Sequence, residues 1–93
     1  MEIKHEQLGK KGVFFVEENS SRIAELVYVF AGTDKFIIEH TKVNPGNEGK
    51  GLGRKLVDAA AAFARENSYK ILPLCPYAKK VMQNSDIYQD ILF

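Results

Sequence analysis

Through the first 43 residues apolar and polar positions trade places about every second residue, in runs separated by polar or glycine-bearing breaks. Side chains of an extended chain point alternately to its two faces, so such runs read as strands. Met1 to Leu8 alternates loosely and is a candidate first strand. Gly9-Lys10-Lys11-Gly12 is a turn, Val13 to Val16 a second strand, and Glu17 to Ser21 a polar turn. Arg22 to Phe30 puts Ile23, Glu25, Val27 and Val29 on one face and Ala24, Leu26, Tyr28 and Phe30 on the other. Ala31 to Lys35 turns the chain again. Phe36 to Val43 is a fourth strand, with Phe36, Ile38 and His40 expected on one face and Ile37, Glu39, Thr41 and Val43 on the other. Turns at this spacing predict an antiparallel meander.

The period then changes. From Gly51 to about Asn67, Leu52, Leu56, Ala59, Ala60, Phe63 and Ala64 recur at helical spacing on one apolar face. Tyr69 to Cys75 is short and apolar, a fifth strand in which Pro73, lacking an N–H, belongs where pairing stops. Pro76 suits a helix start, so Tyr77 to Gln83 reads as a short helix. Residues 84–93 are expected to add a last turn or two of helix packing Ile87, Tyr88, Ile91, Leu92 and Phe93. The order β-β-β-β-α-β-α describes an α+β fold, helices against one mostly antiparallel sheet, in a single domain over 1–93.

Composition narrows the function. The 93 residues are 45% apolar and 27% charged, which suits a folded chain. Thirteen Lys and Arg balance 12 Asp and Glu, a net charge of +1 that argues against a nucleic-acid binder. One cysteine, Cys75, rules out an intramolecular disulfide framework, and with only two histidines no metal cluster is expected. No apolar run approaches the ~18 residues of a membrane span. The N-terminus has no apolar signal core, so a cytoplasmic protein is expected.

Chemistry concentrates in Val43-Asn44-Pro45-Gly46-Asn47-Glu48-Gly49-Lys50-Gly51-Leu52-Gly53-Arg54, which joins the fourth strand to the long helix. Glycines at 49, 51 and 53 let the main chain curl and a ligand approach it. The first amides of a helix lack internal partners and, with the helix dipole, form an anion site suited to phosphate. Lys50, Arg54 and Lys55 add positive charge. A Walker A register fails because Leu52 follows Gly51 and no Ser or Thr follows Lys50, and a dinucleotide fingerprint fits poorly because the spacing is G-x-G-x-G. A glycine-rich connection without a ligand is the alternative; the alternating glycines with clustered basic residues favour a phosphate or pyrophosphate site.

Val43-x-Pro45 followed by Glu48-Gly49-Lys50-Gly51-Leu52-Gly53 resembles the acyl-CoA motif of the GNAT superfamily of N-acetyltransferases, [QR]-x-x-G-x-[GA], with Glu48 at the Gln/Arg position. The stretch from His40-Thr41 to Pro73-Leu74-Cys75-Pro76-Tyr77 is similar to a compact GNAT-like subfamily that usually carries the same Glu and lacks the N-terminal helices of larger relatives. Where that subfamily often has His-Pro-Glu-Tyr, this chain has Ser85-Asp86-Ile87-Tyr88. The resemblance implies a minimal acyl-CoA N-acyltransferase fold with acetyl-CoA or coenzyme A as cofactor. It places the cofactor at Val43, Glu48, Gly49, Lys50, Gly51, Leu52, Gly53, Arg54 and Lys55. It also implies that the strands Phe36–Val43 and Tyr69–Cys75 splay, leaving main chain near Val43 to bond the pantetheine arm.

Two side chains are the candidates for catalysis. The Cys75 thiol, beside the implied splay, suits a role as acetyl carrier or proton donor; a buried small apolar residue is its bland reading. His40 suits a base toward an amine, with Glu39 as the alternative carboxylate and Tyr77 as a less well-spaced acid. His5 is expected at the surface of an edge strand and Tyr88 in packing. The expected activity is acetyl transfer from acetyl-CoA to an unidentified amine, small molecule or peptide, by a monomer or weak homodimer without nucleic-acid or membrane partners. The alternative is a module that binds CoA without efficient turnover.

Overall fold

A computed structural model describes residues 2–93; the expected start of the first strand at Met1 lies outside the described residues. The elements are β1 (Lys4–Leu8), β2 (Lys11–Glu18), β3 (Ser21–Phe30), β4 (Lys35–Val43), α1 (Leu52–Asn67), β5 (Lys70–Pro73), α2 (Pro76–Gln83) and a 3₁₀ turn over Asp86–Tyr88. They form the expected α+β fold. One five-stranded sheet runs β1-β2-β3-β4-β5, antiparallel through β4, with β5 parallel to β4. The β2–β3 hairpin closes through Asn19 and Ser20, both at positive φ, which matches the strand twist in a two-residue loop.

The core lies on one face of the sheet. Phe14, Val16, Ala24, Leu26, Tyr28, Phe36 and Ile38 pack against α1 and against Ala78 and Met82 of α2. The buried surface of α1 takes in Val57 and Ala61 as well as the expected Leu52, Leu56, Ala60 and Ala64, because α2 covers a second flank; Ala59 and Phe63 are half-buried. No helix among the described residues is long and apolar enough to cross a membrane.

His5 lies exposed on the edge strand, as expected, but it does not stand free. On β1 it stacks on Phe14 at 4.1 Å, meets Phe63 edge-on at 4.7 Å, and places Nε2 2.7 Å from Tyr28 Oη. Burial holds this imidazole below its usual value and pushes the Tyr28 phenol up to about 12. Alternation had marked the position as an edge; it did not show an aromatic floor beneath it. Gly12 belongs to the same assembly, since a Cβ there would lie 2.3 Å from the Tyr28 ring. Gly12→Ala is expected to cost about 1–3 kcal/mol, as overpacking does, read as a lower urea midpoint with unchanged slope.

Two expectations are corrected. The β3–β4 ladder pairs Tyr28 with Ile38 but Val27 with His40, so Glu39 is an extra residue, a β-bulge. One inserted residue exchanges the faces of everything after it. Thr41 and Val43 therefore share the helix-covered face with Phe36 and Ile38, while His40 lies on the open face, the reverse of the strict alternation read from sequence. At the C-terminus, residues after the 3₁₀ turn run beside β5 instead of extending a helix. The Ile71 amide donates to Ile91 O at 2.6 Å and the Phe93 amide to Ile71 O at 2.9 Å. Covering the outer edge of β5 satisfies backbone groups that a further helical turn would leave bare. Tyr88 and Ile91 are buried there, and Ile87 and Phe93 are exposed.

Candidate functional site

The β4–β5 ladder is short. It runs from Lys35↔Lys70 to Ile38↔Pro73, and the Ile38 carbonyl then accepts from the amides of both Leu74 and Cys75 at 3.1 Å. Pro73 has no N–H to continue pairing, and Pro76, locked at a helical φ, turns the chain into α2. β4 continues from Glu39 to Val43 with no strand on that side. The expected splay is present, and it begins at Ile38.

Beside it opens a cleft of about 510 Å³. Thr41 and Val43 of β4 form one wall, Asn47, Glu48, Gly49 and Gly51 of the loop another, and Leu52, Gly53 and Tyr77 close the rest. Gly51, the N-cap residue of α1, stands at φ 73° and supplies no side-chain cap, and Gly49 stands at φ 82°. The amides of Leu52, Gly53 and Arg54 find no acceptor among the described residues; the first helical bond is Lys55 N–H to Gly51 O at 3.1 Å. A Cβ at Gly49 or Gly51 would meet nothing within 4 Å, so the backbone lies open to a ligand. Tyr77 covers Gly53, where a Cβ would lie 2.8 Å from its hydroxyl oxygen. A larger hollow of about 800 Å³ over β1–β3 has no such cradle of amides.

The expected basic residues divide. Arg54 is drawn back along α1 to Asp58 at 3.5 Å and over the Tyr88 ring at 5.5 Å, and the Tyr88 hydroxyl donates to the same carboxylate. Lys50 Nζ donates to Asn47 Oδ1 at 3.2 Å, and Lys55 makes no ion pair among the described residues. Glu48 folds onto its own loop, its carboxylate accepting from the Gly46 amide at 3.3 Å. Asp58 neutralises part of the charge expected at the helix start, and Tyr88 holds that carboxylate in place, whereas the amides are free.

Cys75 lies behind Thr41 and Tyr77, buried, as the N-cap residue of α2. Burial, the largest influence, pushes its thiol up. The Ala78 amide, the Thr41 hydroxyl, and the Tyr77 and Thr41 amides outweigh it, and the thiol ends below its ordinary value. Helix-start amides favour a thiolate for the same reason they favour phosphate. Thr41 Oγ1 faces the Cys75 sulfur but its approach falls short of a formed hydrogen bond, which leaves a buried, unsatisfied polar atom at the edge of the cleft. The sequence offered Thr41 only as a hydrogen-bonding neighbour of His40, not as a site residue, because strict alternation ran through the bulge; the consecutive polar residues Glu39-His40-Thr41 were the available signal. Sequence reasoning also passed over Asn47 and gave Tyr77 only a minor role.

His40 is not brought to this cleft. On the open face its Nε2 lies 3.1 Å from Glu25 Oε2, and Glu39 meets Lys11 at 3.7 Å on that side.

The sequence profile of GCN5-related N-acetyltransferases matches residues 13–91. The chain belongs to this family. A GCN5-like protein from Staphylococcus aureus, solved by NMR, is 37% identical over 99% of this chain and 87% of its own, with a TM-score of 0.73. Ribosomal-protein-alanine N-acetyltransferase from Brucella melitensis biovar Abortus 2308 shares the fold at 17% identity and TM-score 0.69, covering 82% of this chain and 61% of that one. So does a predicted acetyltransferase from Clostridium acetobutylicum, solved with acetyl-CoA, at 20% identity and TM-score 0.67, with 81% and 56% covered. This family member is thus much shorter than the latter two neighbours. No curated protein matches the sequence.

Proposed function

We propose that the protein binds acetyl-CoA in the cleft at the start of α1 and transfers its acetyl group to an amine. The observation that carries this reading is the set of unpartnered amides at Leu52, Gly53 and Arg54, opening beside the point where β4 and β5 part. A diphosphate satisfies those donors and the dipole of a 16-residue helix, with Gly49 and Gly51 allowing its close approach. The open edge of β4 near Val43 offers main-chain bonds to an extended amide-bearing arm. Acetyl-CoA, when bound, supplies a thioester acetyl group.

The protein's own groups are divided between the two faces. On the covered side Thr41 and the α2 amides hold the Cys75 sulfur ready as nucleophile or proton carrier. Helices close that side, so an acceptor amine approaches from the open face, where His40 stands beyond the last β4–β5 pair and takes up the amine proton. The described residues place no helix over the open face and so enclose no acceptor pocket, which favours a second reading, a CoA-binding module without turnover.

Calorimetry with CoA and acetyl-CoA, followed by amine-dependent thiol release from acetyl-CoA, tests both readings. Binding plus release above background is expected. Binding alone leaves the module, and no binding of either ligand removes both.

A further inference from the structure

The open face carries a polar chain that ends at the splay. Arg22 lies over the buried Phe15 ring with its guanidinium carbon 4.0 Å from the centroid. Its Nη1 is 3.4 Å from Glu25 Oε1, and the other oxygen of that carboxylate, Oε2, is 3.1 Å from His40 Nε2. Each carboxylate oxygen thus has its own partner, and Glu25 is anchored from behind. Its side chain is about a quarter exposed, against half for His40.

The bulge creates this arrangement. With Glu39 inserted, His40 pairs with Val27 and turns to the same face as Glu25, whose own cross-strand partner is Lys42. Without the bulge the imidazole would point into the covered side, away from any carboxylate. The hydrogen bond to His40 is the chief influence holding the Glu25 carboxyl below its ordinary range, assisted by Arg22 and opposed by burial. An ionised carboxylate only accepts hydrogen bonds, so the hydrogen must sit on Nε2. A neutral ring then has its lone pair on Nδ1, and only that nitrogen can take a proton.

We infer that Glu25 is a positioning residue for acetyl transfer: it holds His40 in the Nε2–H tautomer and leaves Nδ1 as the proton acceptor for an incoming amine. This rests on the reading of His40 as the base. Atoms balance: the amine nitrogen bonds the acetyl carbonyl carbon, the thioester C–S bond breaks and its sulfur leaves as a thiolate, and the amine proton passes to Nδ1, making an imidazolium whose Nε2–H faces the Glu25 carboxylate throughout. Arg22 sets the carboxylate and touches no reactant.

The test uses Glu25→Gln in the full chain, because an amide donates as readily as it accepts and leaves both tautomers open. Imidazole ¹⁵N shifts at pH 8 are expected to show Nε2–H in the wild type and mixed tautomers in the variant. Transfer to an amine at saturating acetyl-CoA is expected to fall by about tenfold, short of the roughly 10²–10⁴-fold attributable to a whole general base. Affinity for CoA, bound on the other face, stays unchanged. An unmoved tautomer in Glu25→Gln overturns the inference and leaves the base intact. Full transfer activity in His40→Ala, with wild-type His40 still found as the Nε2–H tautomer, instead removes the base, and Glu25's part in the reaction goes with it.

Discussion

Alanine in place of Cys75 is expected to leave the fold standing while abolishing uptake of an acetyl group by the protein. Cysteine to alanine removes one buried sulfur and no paired charge, so the loss of stability stays near the ~1 kcal/mol typical of a point change. The chemical loss is larger. Cys75 holds the only thiol in the chain, at the start of α2 and behind the Thr41 wall of the cleft. Incubation with acetyl-CoA followed by intact mass should show one added acetyl group on the wild type and none on Cys75→Ala, and transfer to an amine should fall by ~10²-fold or more. The pH dependence has a definite sign. The reactive form is the thiolate, so uptake rises with pH through the thiol pKa and levels above it. Because the amides and Thr41 bring that pKa below its ordinary value, the plateau comes at lower pH than for a free cysteine. Acetylation of Cys75→Ala at the wild-type rate would falsify the sulfur's role, and a wild-type transfer rate in that variant would show that no step needs it.

The second large effect is expected at Gly51. Valine there must occupy φ 73°, a region that costs an L-residue roughly 1–2 kcal/mol and a β-branched one more. The new side chain would meet no neighbour within 4 Å, so no clash competes with this backbone strain. Relief comes from rotating the peptide at the start of α1, which swings the free amides of Leu52 and Gly53 out of convergence. CoA affinity by calorimetry should drop at least ~10-fold, the equivalent of about 1.4 kcal/mol. Gly46→Ala is the control: Gly46 also stands at positive φ, 90°, in the same loop but outside the cleft. It should lower stability to a similar extent and leave CoA affinity nearly intact. Equal loss of affinity in both variants would mean that the loop responds to strain in general, and that the amides are not the grip.

Much of the site was legible because its parts are local. Gly49, Gly51 and Leu52 announce an uncapped helix start from a dozen consecutive residues, and Pro73 and Pro76 mark where pairing fails and a helix begins. The basic residues were read less well. Lys50, Arg54 and Lys55 were grouped by proximity in sequence, yet Arg54 is tied to Asp58 and Tyr88, and Tyr88 comes from the far end of the chain. His5 met the same obstacle, since its partners Tyr28 and Phe63 are set by strand pairing and helix docking.

By itself the sequence determined the strands, the long helix, their order and the glycine loop that leaves the helix start uncapped, because each depends on periodicity or on φ preferences within a few residues. Only the tertiary structure decided which face His40 and Thr41 occupy. A bulge is defined by two strands: one extra residue is invisible until β3 supplies the register, and that single offset sends Thr41 to the cleft wall and His40 to the open side with Glu25.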